Sequence, residues 1–294
     1  MSADLPVARR FASPEDGRPN AEMLSSYEEN GFLILENFAR EAACDDLKAR
    51  IAELVDGFDP KSVRSTFSTD DQAHARDIYF KESGDKIRFF FESGAFDKEG
   101  NLVKPKHQAL NKIGHALHDL DAEFDRFSRT GKLANLAAGL GLQDPGLVQS
   151  MVIMKQPFIG GEVGMHQDST FLYTTPMTTI GFWFALEDAD QNNGCLIGQA
   201  GGHTAGLQER FHYEGDDLTM EPLDAAPPQG PREALEAPKG TLVVIHGLVP
   251  HSSAANTSAR SREAYALHVF DRSAHWAEDN WLKRAADMPV RGFA

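Results

Sequence analysis

The chain has 294 residues, 41% of them hydrophobic and 25% charged, a globular balance that excludes wholesale disorder and at this length points to one elaborated domain. Lys and Arg number 29 against 44 Asp and Glu, for a formal charge of -15. So acidic a surface repels phosphate backbones and excludes general nucleic-acid binding, while leaving room for a local basic cleft. No apolar run approaches the roughly 20 residues of a membrane helix, and the start, MSADLPVARRFASPEDG, lacks the apolar stretch of a secretory signal. Cys44 and Cys195 are the only cysteines and form no disulfide framework, so a soluble protein of the reducing cytoplasm is expected.

In chain order, residues 1–20 are polar, with prolines at 6, 14 and 19, and read as an N-terminal arm to a single domain over 21–294. Residues 21–30 read as a helix ended by Gly31, and FLILENF (32–38) as a strand. Over 41–55, Ala43, Leu47, Ile51 and Leu54 recur at helical spacing. IRFFF (87–91) predicts a strand, and 108–120 and 132–140 predict helices. From Leu147 short β-prone runs alternate with Gly, Pro and Asn/Asp punctuation: 147–155, 179–186, 242–246 and 265–270. That texture predicts a mainly β fold, an antiparallel sandwich or barrel with flanking helices. Residues 211–239, acidic and carrying five prolines, read as a lid or flexible insertion.

His166-Gln167-Asp168 follows the Gly160-Gly161 turn. On an extended chain, residues two apart share a face, so His166 and Asp168 can bind one ion. His251, beyond the 242–246 strand and Pro250, supplies a third donor. Two imidazoles and one carboxylate suit the facial triad of non-haem iron(II) oxygenases, which leaves adjacent positions for a cosubstrate and O2. A structural zinc site is disfavoured by the missing thiolates. His246 competes with His251 as third ligand but reads better as a strand-end residue. His115 and His118, one turn apart, read as a partly exposed helix face, and His203 as a structural residue. Arg262 lies eleven residues after His251, where its planar fork can hold a carboxylate by two charge-assisted bonds. It shares strand parity with Ala264, Ala266 and His268, whose alanines leave room for a ligand; Arg260 has the same parity, so spacing alone leaves both arginines open.

The runs KQPFIGGEVGMHQDSTFLYT, FWFALEDADQNNGCL, GGHTAG, GTLVVIHGLVPHSSAANTSARSREAYALHVF and HWAEDNWL resemble the phytanoyl-CoA dioxygenase family, and within it the branch of phytanoyl-CoA dioxygenase domain-containing proteins, from about Gly31 to Leu282. The resemblance implies a double-stranded β-helix (jelly roll, cupin-like) with flanking helices. It implies iron(II) on His166, Asp168 and His251, with 2-oxoglutarate chelating the metal and O2 as oxidant. It carries the cosubstrate contacts onto Lys112 in NKIGHALH, Met151 in VQSMVIMKQ, Trp183, Ser253 and Arg262, choosing Arg262 over Arg260. The implied reaction hydroxylates a small organic molecule or acyl thioester, with release of succinate and CO2. Asp168 stands where related halogenases lack a carboxylate, which implies hydroxylation.

One stretch departs from the family pattern. After Gly194-Cys195-Leu196 the chain reads IGQAGGH, with Gly198 and Gln199 in place of bulky apolar residues, which predicts a weakened core strand and a reshaped substrate side. A silent binding protein, or a metal hydrolase or isomerase on the same scaffold, are the rival readings.

Overall fold

The first helix and strand follow from local chemistry. The Asn20 side chain accepts the Met23 N–H ahead of α1 (Ala21–Asn30), a cap worth about 1 kcal/mol. Gly31, at φ 79°, then turns the chain through the left-handed region that favours glycine. β2 (Phe32–Glu36) follows, and β1 (Arg10–Ala12) lies parallel to it. The helix α2 (Glu41–Gly57) buries Cys44, Leu47, Ile51 and Val55 on one stripe. The computed structural model describes residues 5–60 and 78–293, so the first four residues of the expected arm lie outside the described residues.

β3 (Ile87–Phe91) forms as expected, but residues 108–120 do not make a helix. One helical turn (Lys106–Ala109) leads into β4 (Leu110–His115), and a second (Leu117–Leu120) follows it. β4 lies between β3 and β5 (Pro145–Lys155) and is buried at all six positions. A strand covered on both faces loses its two-residue alternation, so its apolar spacing imitates a helix. Gly114 lets the strands approach, since a Cβ there would stand 3.2 Å from Met151 Cγ.

The second half is strand-rich. β6 (Val163–His166), β7 (Thr174–Thr175), β8 (Ile180–Ala185) and β9 (Leu196–Gln199) precede a hairpin of β10 (Glu209–Glu214) and β11 (Asp217–Pro222). Then come β12 (Arg232–Leu235), β13 (Leu242–His246), β14 (His251–Ser253), β15 (Arg262–Asp271) and β16 (His275–Trp276). Much of residues 211–239 is therefore strand, with its prolines at strand ends and in the connections: Pro222 closes β11 and Pro231 immediately precedes β12.

An eight-stranded sheet runs β1-β2-β13-β8-β15-β5-β4-β3, and a four-stranded sheet β12-β9-β14-β6 faces it. Strand parity divides the core. Phe182, Phe184, Leu242, Val244, Tyr265 and Leu267 pack with Leu47, Ile51, Phe124 and Leu136 of the helices. Trp183, Ala185, Val243, Ile245, Ala264 and Ala266 pack with Leu196, Ala234 and Leu235 of the smaller sheet. The central strands are thus buried on both faces, and the architecture is the jelly roll with flanking helices.

The glycine departure does not break its strand. β9 pairs with both β12 and β14, and Gly198 stands opposite His251 and Glu233. A Cβ at Gly198 would lie 3.0 Å from the Phe32 ring and 3.2 Å from Leu235 Cδ1. The Phe32 ring of the opposite sheet takes the room a bulky residue would use, which compensates the missing side chain.

Candidate active site

His166 ends β6, Asp168 opens the following helical turn and His251 begins β14, directly opposite His166 in the register. Cross-strand pairing therefore does what sequence distance conceals. One donor atom from each of the three lies within 4.8 Å of the others. Asp168 Oδ1 is 3.9 Å from His166 Nε2 and 3.6 Å from His251 Nε2. Each imidazole donates its Nδ1–H to a backbone carbonyl, His166 to Gly164 O at 2.9 Å and His251 to Val249 O at 3.1 Å. Those bonds fix the tautomer and leave both Nε2 lone pairs facing the common centre, the usual preparation of a metal-binding histidine. The donor set, one anionic oxygen and two neutral nitrogens on a half-open wall, fits iron(II).

Electrostatics prepare the same centre. Burial alone would raise the Asp168 carboxyl, but His268, His251 and His166 outweigh it and hold the group well below the ordinary carboxylate range. Burial, then the neighbouring His251, pulls His166 down to about 4, so both partners are in their metal-binding protonation states at neutral pH.

These side chains open into a cavity of about 380 Å³ between the two sheets. Lys112, Met151, Trp183, Ser253 and Arg262, the residues expected to contact the cosubstrate, all line it. Arg262 is 1% exposed. Its Nε donates to Gly194 O at 3.2 Å, Nη1 donates to Ile153 O at 3.5 Å, and the guanidinium lies 5.4 Å from the centre of the Trp183 ring. Burial lowers it to about 10, so it stays charged at neutral pH. No carboxylate among the described residues forms an ion pair with it. A buried cation bonded only to carbonyls is a ready seat for an anionic ligand. Arg260, its parity twin, is exposed and pairs with Asp190.

Lys112 is buried on β4, not on a solvated helix, with its ammonium 4.9 Å from the Phe90 ring centre and 5.7 Å from that of Phe80. Burial lowers it to about 7, whereas an unfolded lysine keeps its proton to about 10.4. Between those values the unfolded chain binds more protons, so stability rises with pH by up to about 1.4 kcal/mol per pH unit. Below about pH 7 both states are protonated and the slope vanishes. We expect wild-type, ligand-free protein to gain melting temperature relative to Lys112→Met between pH 7 and 9; parallel curves for the two proteins would contradict this.

Two of the other histidines depart from their sequence readings, while His246 ends β13 and His203 makes a structural contact as read. His115 and His118 do not form a partly exposed helix face. His115 is buried on β4, its Nδ1 2.8 Å from Ser83 Oγ, and lines the cavity. His118 is buried against Ser150 Oγ at 2.8 Å, with Asp119 3.2 Å from its Nε2. His246 accepts the Leu248 N–H on Nδ1 and closes a turn, and His203 lies 3.2 Å from Glu28 O. His268 went unnoticed as a site residue, although its parity with Arg262 placed it on the inner face. Its Nε2 lies 3.3 Å from Asp168 Oδ2, which occupies one carboxylate oxygen and leaves Oδ1 for the metal.

A jelly roll with two imidazoles and a carboxylate gathered at an inner wall defines the class of mononuclear non-haem iron oxygenases. Residues 27–264 match the family Phytanoyl-CoA dioxygenase (PhyH). The phytanoyl-CoA dioxygenase of Arabidopsis thaliana is 43% identical over 270 residues, covering 92% of this chain and 95% of that protein. Phytanoyl-CoA dioxygenase domain-containing protein 1 of Bos taurus is 44% identical over 280 residues, covering 90% and 95%. The chain belongs to the phytanoyl-CoA dioxygenase family. Solved structures share the fold at lower identity: AviO1 from Streptomyces viridochromogenes Tue57 (TM-score 0.60, 23% identity, covering 88% of this chain and 98% of that one) and EctD from S. alaskensis with 2-oxoglutarate and 5-hydroxyectoine (TM-score 0.63, 16% identity, covering 96% and 90%). Among the described residues no helix is long and apolar enough to cross a membrane.

Proposed function

We propose that this chain hydroxylates an unactivated C–H bond of a small organic molecule or acyl thioester while 2-oxoglutarate is decarboxylated to succinate and CO2. The observation that carries this reading is one cavity holding both the convergent donors of His166, Asp168 and His251 and the buried guanidinium of Arg262. His166, Asp168 and His251 would hold iron(II), which when bound supplies the oxidising chemistry with O2. Arg262, with Ser253 lining the same cavity from the facing sheet, would take the distal carboxylate of 2-oxoglutarate, and Lys112, Met151 and Trp183 would complete its pocket. The protein's own work is to bind, orient and exclude water. Both cysteines are free and buried, which suits the reducing cytoplasm.

The substrate half of the cavity is the aromatic side, where Phe80, Phe171, Phe211, Met220 and Trp281 gather. Phe80 stacks on Trp281 at 4.4 Å, and Phe171 lies 5.5 Å from Phe211. These residues come from four distant segments, among them the β10–β11 hairpin, and offer an apolar surface to a substrate. In the test, purified chain is supplied with iron(II), 2-oxoglutarate and a panel of free acids, amino acid derivatives and acyl-CoA thioesters. Succinate is expected only when metal, cosubstrate and O2 are all present. Turnover of a substrate without O2 would point to a hydrolase or isomerase, and 2-oxoglutarate binding with no succinate across the panel would point to a silent binding protein. Phe211→Ala is expected to weaken substrate binding while leaving substrate-independent 2-oxoglutarate turnover within about twofold.

A further inference from the structure

Gln167 stands between two of the proposed ligands, is buried, and does not line the cavity. Its amide is spent on three backbone groups. Nε2 donates to Leu248 O at 2.6 Å and to Gly206 O at 2.9 Å, and Oε1 accepts the Gln208 N–H at 2.9 Å. Two carbonyls on one end and an N–H on the other admit only one amide orientation.

Leu248 belongs to the turn that presents His251. His246 Nδ1 accepts the Leu248 N–H at 3.1 Å, His246 O accepts the Val249 N–H at 2.8 Å, and Val249 O orients the His251 ring. The β-ladder joining the two ligand-bearing segments is short. Only His251↔His166 and Ser253↔Val163 pair between β14 and β6, with a register shift between them. A bulged two-pair ladder holds its strands weakly. Beside it, two further bonds tie the segments, the Ser169 N–H to Gly247 O, at 2.9 Å, and the Gln167 amide to Leu248 O.

We propose that Gln167 is a positioning residue that sets the separation of His251 from the His166/Asp168 pair, acting through the Leu248 carbonyl. Without its two donors, the 246–250 turn keeps its internal bonds and the Ser169–Gly247 bond but loses its side-chain tether to the HxD segment, and the third ligand drifts from bonding reach. Gln167 touches neither metal nor substrate. The inference rests on reading His166, Asp168 and His251 as ligands; wild-type chain that took up no metal would remove that reading, whereas the variant-to-wild-type ratio tests the tether.

The experiment titrates metal-free, full-length protein with cobalt(II), followed by ligand-field absorption, alongside the melting temperature of the metal-free form. Gln167→Met keeps length and packing and removes every hydrogen bond. It is expected to raise the cobalt Kd at least about tenfold, the scale for losing an outer partner of a metal ligand. A Kd within twofold of wild type, with or without a lower melting temperature, would overturn the proposal and leave Gln167 a packing residue. Gln167→Glu keeps the acceptor for Gln208 and loses both donors, and carries the same expectation if the methionine variant does not fold. Failure of both to fold would assign the residue to folding rather than positioning, which also overturns it.

Discussion

Asp168→Ala is expected to abolish iron retention and succinate formation, the largest effect of any single substitution in this chain. Asp168 is the only anionic donor of the three, and a buried divalent cation facing two neutral imidazoles alone keeps an uncompensated charge. The effect should exceed the 10- to 100-fold loss in metal affinity typical of removing an outer partner, because here the ligand itself is gone. The fold should survive with a smaller loss. Removing the carboxylate strips His268 Nε2 of its 3.3 Å partner, an unsatisfied buried donor costing about 1–3 kcal/mol, but it also relieves the burial of a charge. Metal analysis after gel filtration, with a thermal melt of the metal-free forms, separates the two effects. Undiminished iron in the alanine variant would place the metal elsewhere.

Arg262→Ala is expected to weaken 2-oxoglutarate by about 2–5 kcal/mol, the cost of truncating one partner of a buried, hydrogen-bonded charge pair. This corresponds to a rise of roughly 30- to 4,000-fold in the apparent Kd. The magnitude rests on surroundings: the guanidinium is 1% exposed, solvent screening is slight, and its protein bonds run to carbonyls rather than to a carboxylate. Arg262→Lys should recover only part of the loss. An ammonium restores charge but not the fork that bonds Gly194 O, Ile153 O and a carboxylate together. A 2-oxoglutarate titration of the metal-loaded variants reads the effect directly; near-normal affinity in the alanine variant would move the cosubstrate carboxylate to another cation.

The same residues show what linear order conveys. His166 and Asp168 are legible because two residues apart on extended chain means one face, and strand parity alone puts Arg262, Ala266 and His268 on the face that lines the cavity. The helix at 21–30 and its glycine stop are equally local, since a cap and a left-handed turn involve neighbours only. Parity could not separate Arg262 from Arg260, because it says nothing of depth: one is sealed between two sheets, the other reaches solvent and Asp190.

What the amino-acid order by itself determined is therefore the set of chemical groups, their faces and the family they belong to. Tertiary structure decided the rest. It made 110–115 a strand, because pairing with β3 and β5 on both edges outweighed a helix-like apolar spacing. It joined His251 to His166 across 85 residues through one register position. It gave Asp168 its second partner in His268 and the HxD segment its tether in Gln167. Such bonds link groups that lie far apart along the chain, and periodicity carries no information about which distant strand will lie alongside; only the closed pairing of the sheets supplies it.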